Sequence, residues 1–208
     1  MYKPVVILGM GGHAKVCIEI LKLLNVEMLG IVAPENNHQI KGVQYIGNDE
    51  AVLSYSAESI MLVNGVGHVP HSKQRSKIYE FFKHKHYEFM TLVHPSAIMA
   101  SDVKIQAGAQ IMAGVVVQPN TTIGENTIVN TATIIEHDGQ VGSNVHLAPG
   151  VTLCGTSTIE QGVFIGANSV VVPNVTIGKD ALVAAGSVVL ENIAPGARFI
   201  QKKEGSYL

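Results

Sequence analysis

One aliphatic residue recurs every sixth position from Ile105 to Val189, through Ile111, Val117, Ile123 and onward, and none of the fifteen places is missed. Four residues after each, the chain tends to be small or β-branched, as at Thr121, Thr127, Thr133, Ser157 and Ser169. A period of six with two inward rows predicts a hexapeptide-repeat parallel β-helix, in which three hexapeptides close one triangular coil. Residues 105–194 then make five coils, a prism of roughly 24 Å at strand spacing. No long insertion interrupts the repeat, so no loop covers a corner. A substrate must therefore bind outside the prism, between neighbouring subunits.

Upstream the pattern is different. Val5–Leu8 is an apolar run of strand length, and residues 12–24 carry Val16, Ile20, Leu23 and Leu24 at helical spacing. Met28–Val32 predicts a second strand, Ile60–Val63 a third, residues 73–85 a second helix, and Phe89–Val93 a last strand before His94-Pro95. Strands alternating with helices predict a small α/β, Rossmann-like domain with its ligand crevice at the carboxyl ends of the strands. The expected organisation is 1–93 for this domain, 94–194 for the β-helix and 195–208 for a basic tail.

The 208 residues carry a formal charge of -2, which gives no electrostatic case for nucleic acid and favours a small-molecule ligand. Polar or turn residues break every apolar run well short of the ~18 residues of a membrane span, and no signal-like segment opens the chain. A soluble, cytoplasmic protein without membrane insertion is expected. Cys17 and Cys154 have neither CxxC nor metal-ligand spacing and read as buried free thiols. Seven charged residues occur between 105 and 194, with Lys179 the sole base, whereas Arg198, Lys202 and Lys203 follow. That tail is either a source of charge for a phosphorylated cofactor or a solvated terminus.

Two segments carry candidate chemistry. Gly9-Met10-Gly11-Gly12-His13-Ala14 links the first strand to the first helix, where glycines and helix-start N–H groups receive phosphate. Ala14 stands where a dinucleotide fingerprint has its third glycine, and Glu35 is the one acid after the second strand. NAD is disfavoured and a sugar nucleotide remains open. Gly65 and Gly67 end the third strand and form either the other wall or a simple turn. In the repeat, His137 follows the core position Ile135 by two residues and precedes Asp138. Both point outward at a corner, where a carboxylate can fix the tautomer of a general-base imidazole. His146 could flank the same groove. A surface histidine beside acids is common, so spacing alone leaves the role open.

Gly-x-Gly-Gly-His-x-Lys at Gly9–Lys15, His-Pro-Ser-Ala at His94–Ala97 and Asn-Thr-x-x-x-x-Glu-His-Asp at Asn130–Asp138 together resemble the hexapeptide-repeat sugar acyltransferases. The similarity is greatest to the acetyl-CoA-dependent N-acetyltransferases of bacterial surface-sugar synthesis and extends to the sialic acid O-acetyltransferases. The resemblance implies a homotrimer of left-handed β-helices with acetyl-CoA in the groove between prisms and no metal. It makes His137 the general base and Asp138 its helper carboxylate. It places Asn130 near the acceptor sugar, His146, Ala167 and Ala185 along the acetyl-CoA groove, and Gly9, Met10, Gly11 and Gly67 at the nucleotide. Ala33 and Pro34 stand where sugar-nucleotide members carry an Asp pair, which leaves UDP or dTDP open.

The reaction so implied is direct N-acetylation of a nucleotide-linked 4-amino-4,6-dideoxy sugar. O-acetylation of a sialic acid is the alternative. A zinc hydratase on a similar prism would need three histidines, and the repeat supplies His137 and His146. A non-catalytic sugar-nucleotide-binding module is the remaining reading.

Overall fold

The computed structural model describes residues 2–36, 40–70 and 72–201. Lys202 and Lys203 of the expected basic tail lie outside them. The chain forms two units, Met1–Pro95 with Gln106–Gln110 and Ser96–Ile105 with Ile111–Leu208.

In the first unit, β1 (Val5–Leu8), β2 (Met28–Val32), β3 (Tyr45–Gly47), β4 (Met61–Asn64) and β5 (Glu88–Phe89) form one parallel sheet in the order β3-β2-β1-β4-β5. Central β1 is fully buried along its length, which is why it reads as a continuous apolar run. Helix α1 (Gly12–Leu23) buries Ala14, Cys17, Ile18 and Leu21, spaced i, i+3, i+4, i+7. Of the residues expected on the inner face, Ile20 is buried, whereas Val16 and Leu23 are exposed. Helix α2 (Gln74–His84) packs Tyr79 and Phe82 into a core with Val6, Leu8 and Leu62. The expected last strand divides into β5 and the short strand Leu92–Val93. Strand β3 and the 3-10 helix Asp49–Ser54 were not expected; β3 is a three-residue, half-buried edge with too few positions to show a period.

The second unit is a left-handed parallel β-helix. Its strands are two residues long, and in the body of the repeat each pairs with the equivalent strand one coil on. One face stacks Ile98, Val116, Ile134, Thr152, Val170 and Val188. A second stacks Lys104, Thr122, Gln140, Thr158 and Thr176. The third stacks Ile128, His146, Phe164, Leu182 and Arg198. These are the Ile134, Gln140 and His146 faces below.

From Ile111 to Val189 every aliphatic on the six-residue ruler is at most 3% exposed. The second inward row is equally buried, and its hydroxyls are satisfied by backbone. Thr127 donates to the Gly142 carbonyl at 2.7 Å, Ser169 and Ser187 to that of Ala184 at 3.0 and 2.7 Å. A third register was not anticipated: every sixth residue from Gly108 to Gly186 has a positive φ. These are the corners, and the left-handed conformation explains why Gly, Asn and Asp recur there. Asp138, at φ +60°, is one of them. No helix among the described residues is long and apolar enough to cross a membrane.

Candidate functional site

The β1–α1 loop, the end of β2 and the segment after β4 enclose a crevice of about 390 Å³ lined by Gly9 to His13, Ala33 to Glu35, Gly65 to Gly67 and Gln74. It lies where the strand order reverses, between β1 and β4, at their carboxyl ends. Two glycines are steric requirements. Gly9 has φ +87°, and a Cβ there would stand 2.9 Å from the Val66 side chain. A Cβ on Gly65 would press on Ala14, Ile7 and the Leu8 carbonyl, each at 2.9 Å. Beyond the expected Gly9, Met10, Gly11 and Gly67, the crevice thus gathers Ala33, Pro34 and Glu35.

Behind this wall lies Arg75, buried at 4% exposure. Its guanidinium donates to the carbonyls of Asn64 (2.8 Å) and Val66 (2.6 Å) and to Gln110 Oε1 (3.1 Å). Gln110 Nε2 donates to the Asn64 carbonyl (2.9 Å), and His13 Nε2 lies 2.6 Å from Gln110 Oε1. An amide oxygen only accepts, so His13 carries its proton on Nε2. Burial, then the charge of Arg75, lowers the His13 pKa to about 4, and the same causes bring His68 to about 4. Burial lowers Arg75 itself to about 10 and raises the Cys17 thiol to about 12, which removes Cys17 as a nucleophile at neutral pH. At neutral pH Arg75 is charged while both histidines are neutral. That electrostatic setting suits an anionic group over the glycine loop. Sequence reasoning missed Arg75 because Lys73–Lys77 looks like a solvated basic run.

The histidine pKa values set a pH dependence. His13 falls below its ordinary 6.5 on folding, so the unfolded chain takes up its proton first as pH drops. The associated stability is complete above 6.5 and is lost as pH falls through about 4. His13→Gln is expected to flatten the fall of Tm across that window, and equal slopes for variant and wild type would refute it.

In the second unit, His137 and Asp138 occupy the corner between the Ile134 and Gln140 faces. His137 Nδ1 lies 2.7 Å from Asp138 Oδ2. The other carboxylate oxygen, Oδ1, accepts from Asn120 Nδ2 at 2.5 Å. These bonds, that from Asn120 first, hold the Asp138 carboxyl below the usual carboxylate range. The imidazole lies over Gly155, one coil on, where a Cβ would be 2.6 Å from both Cε1 and Nε2. With the Nδ1 proton directed at the carboxylate, the Nε2 lone pair is left to take a proton.

The other expected residues lie elsewhere. Ala167 and Ala185 stack one coil apart, with the Ala167 carbonyl accepting from Gly186 N at 2.8 Å, on the corner between the His146 and Ile134 faces. Asn130 opens the same corner; its Oδ1 accepts from Thr131 N at 2.8 Å. His146 is 8% exposed and tilts against Phe164 at 5.1 Å on its own face. Within one chain the His146 face is opposite the His137 corner, so the two histidines do not share a groove there. Of the thiols, Cys154 is partly exposed and Cys17 buried. No group of three or more His, Cys, Asp or Glu residues among the described residues is placed to hold a metal.

Comparison with known proteins agrees with both units. The PglD N-terminal domain family matches residues 4–82, and the bacterial transferase hexapeptide family (six repeats) matches residues 97–137 and 156–191. A mutant GDP-perosamine N-acetyltransferase from Caulobacter crescentus, in complex with CoA and GDP-perosamine, is 30% identical with a TM-score of 0.87, over 94% of this chain and 92% of that one. The acetyltransferase domain of PglB from Neisseria gonorrhoeae, in complex with acetyl coenzyme A, is 28% identical with a TM-score of 0.86, over 95% and 96%. The GDP-perosamine N-acetyltransferase of Escherichia coli O157:H7 is 31% identical across 51% of this chain and 49% of its own. The chain spans 26% of the bifunctional protein GlmU of Thermotoga maritima, which it also matches. With one family on each unit and a similar structure covered almost end to end, the chain belongs to the hexapeptide-repeat sugar acyltransferases with a PglD-type N-terminal domain.

Proposed function

We propose that this protein transfers the acetyl group of acetyl-CoA to the amino group of a nucleotide-linked 4-amino-4,6-dideoxy sugar, with His137 as general base. The observation that carries the reading is the His137 imidazole, tied through Nδ1 to Asp138 and resting on Gly155. The neutral amine attacks the thioester carbonyl while His137 Nε2 accepts its proton. Collapse of the tetrahedral intermediate breaks the C–S bond, and the imidazolium returns the proton to the leaving thiolate. We assign the oxyanion donor to the backbone N–H of Gly155, the glycine in contact with the ring; such a donor is worth roughly 10² to 10³ in kcat.

The diphosphate fits the glycine crevice, with Gly9, Met10, Gly11 and Gly67 around it and Arg75 behind. Asn130 is assigned to the acceptor sugar and His146, Ala167 and Ala185 to acetyl-CoA. Perosamine is itself a 4-amino-4,6-dideoxy sugar, and the Caulobacter relative holds it as the GDP derivative, so GDP joins UDP and dTDP as a nucleotide to test. Acetyl-CoA is a cytoplasmic metabolite, which makes the proposed reaction cytoplasmic.

The same placement supports a homotrimer. His137 and the Ala167–Ala185 corner stand on opposite edges of the Ile134 face, so a second copy would bring one chain's base to another's cofactor groove. The Ile134 and His146 faces present Ile98, Val116, Ile134, Val170 and Phe164, Leu182, whereas the Gln140 face is polar. Two distinct apolar faces suit the heterologous contact that closes a three-fold ring.

Thiol release from acetyl-CoA, measured with GDP-, UDP- and dTDP-linked 4-amino-4,6-dideoxy sugars beside free sialic acid, tests the reading. Release is expected with an amino sugar nucleotide. Release with sialic acid alone would move the function to O-acetylation, and none with any acceptor would favour a non-catalytic binding module.

A further inference from the structure

The corner that carries His137 repeats once per coil as Asp102, Asn120, Asp138, Thr156 and Asn174. The last four share φ values between +59° and +63°. Side chains bridge consecutive rungs. The Thr156 hydroxyl donates to Asn174 Oδ1 at 2.6 Å, and a neighbouring corner repeats the device as Asn126 Nδ2 to Asn144 Oδ1 at 2.7 Å. These rungs tie successive corners together. At Asp138 the same rung does something more, because the residue receiving it has a second oxygen directed at His137.

We propose that Asn120 is a positioning residue for the His137 base: its amide occupies Asp138 Oδ1 and thereby turns Oδ2 to His137 Nδ1. The geometry runs through three residues. Asn120 is anchored by its own backbone N–H, which donates to Asp102 Oδ2 at 3.0 Å. Its Nδ2 reaches Asp138 Oδ1 at 2.5 Å, and Asp138 Oδ2 reaches His137 Nδ1 at 2.7 Å. The backbone holds the same register, with Asp138 N donating to the Pro119 carbonyl (3.0 Å) and Thr156 N to the His137 carbonyl (2.9 Å).

Exposure makes this anchoring necessary. Within one chain the side chains of His137 and Asp138 are 62% and 43% exposed, so the chain's own core packing does not lock either rotamer. A carboxylate turns readily about χ2, and an exposed imidazole exchanges between its Nδ1–H and Nε2–H forms. The Nε2–H form cannot accept the substrate's proton at Nε2. Two directional bonds, one on each carboxylate oxygen, fix the carboxylate plane and hence the tautomer. The hydrogen bond from Asn120, then that to His137, holds the Asp138 carboxyl below the usual carboxylate range.

The inference rests on His137 being the general base, but its test does not need turnover. Asn120→Gly in the full chain removes the amide while keeping a left-handed backbone that glycine adopts without strain. Asn144→Gly removes the equivalent rung at the neighbouring corner, away from His137, and is the matched control. Three quantities are read: the His137 tautomer from imidazole 15N shifts, the Asp138 carboxyl titration from 13C shifts, and kcat with KM from thiol release. Asn120→Gly is expected to lower the Nδ1–H population and move the Asp138 titration upward. It should also reduce kcat about tenfold, as a slightly misplaced base does, with KM for acetyl-CoA unchanged. Asn144→Gly should leave all three at wild-type values. Wild-type tautomer and titration in Asn120→Gly, or the same changes in Asn144→Gly, would overturn the proposal. If no acceptor supports thiol release, the two NMR readouts still decide it, so failure of the positioning role and failure of the acetyltransferase reading are distinguishable.

Discussion

His137→Ala is expected to lower kcat by about 10² to 10⁴, the usual contribution of a positioned general base, with little change in KM for acetyl-CoA or in Tm. Stability should hold because the imidazole is largely exposed and bonds through Nδ1 to a carboxylate that is itself on the surface. A surface pair of this kind contributes little to folding. The loss falls on kcat because the proton transfer occurs on the way to the tetrahedral intermediate, after both substrates are bound. Adding Asp138→Asn to His137→Ala should cost little more, since the carboxylate acts through the ring that is gone. Turnover near the wild-type rate in His137→Ala would remove this residue from the mechanism and leave the Asp138–Asn120 contact as a corner rung alone.

Gly155→Ala should separate catalysis from stability in a single methyl group. A Cβ at this position falls 2.6 Å from both Cε1 and Nε2 of His137, so the ring must leave its seat. It can do so cheaply, being the end of an exposed side chain, and Gly155 is not among the positive-φ glycines. Removing a glycine where alanine fits the backbone stabilises by about 0.4 to 1 kcal/mol through the unfolded chain. The variant is therefore expected to melt at or slightly above the wild-type temperature. Displacing the base by about an ångström costs on the order of 10² in rate. The backbone N–H assigned to the oxyanion is retained, so the loss reports the ring's position. A wild-type kcat in Gly155→Ala would mean that His137 works from a different seat than the one over Gly155.

The six-residue ruler made the solenoid legible without any structure, since its inward rows repeat at a short fixed spacing and their burial follows directly from hydrophobicity. Strand β1 was legible for a related reason, being an apolar run buried on both faces, and β2 as an apolar run buried over Gly30–Val32. The glycine loop was legible as a strand-to-helix junction, and His137 with Asp138 as an outward pair at a corner. On α1, Ile20 is buried as its spacing predicts, whereas Val16 and Leu23 face outward and the buried stripe runs through Ala14, Cys17, Ile18 and Leu21. Apolar residues on this helix fit more than one stripe at helical spacing, and the element packed against it selects which one is buried.

Other features existed only in three dimensions. Arg75, Gln110 and His13 are joined across as many as 97 residues, and no local period connects a helix residue with a position so distant in the chain. His146, nine residues after His137, is brought onto the opposite face because six residues carry the backbone past each corner. Asn120 lies one full coil before Asp138 and Gly155 one full coil after His137, so the period held a signal for both once the coil length was known. What the sequence by itself determined is therefore the repeating backbone, since sterics and burial act on each hexapeptide alike. What the tertiary structure decided is which side chains meet, because contacts between stacked coils and across the sheet depend on chain closure.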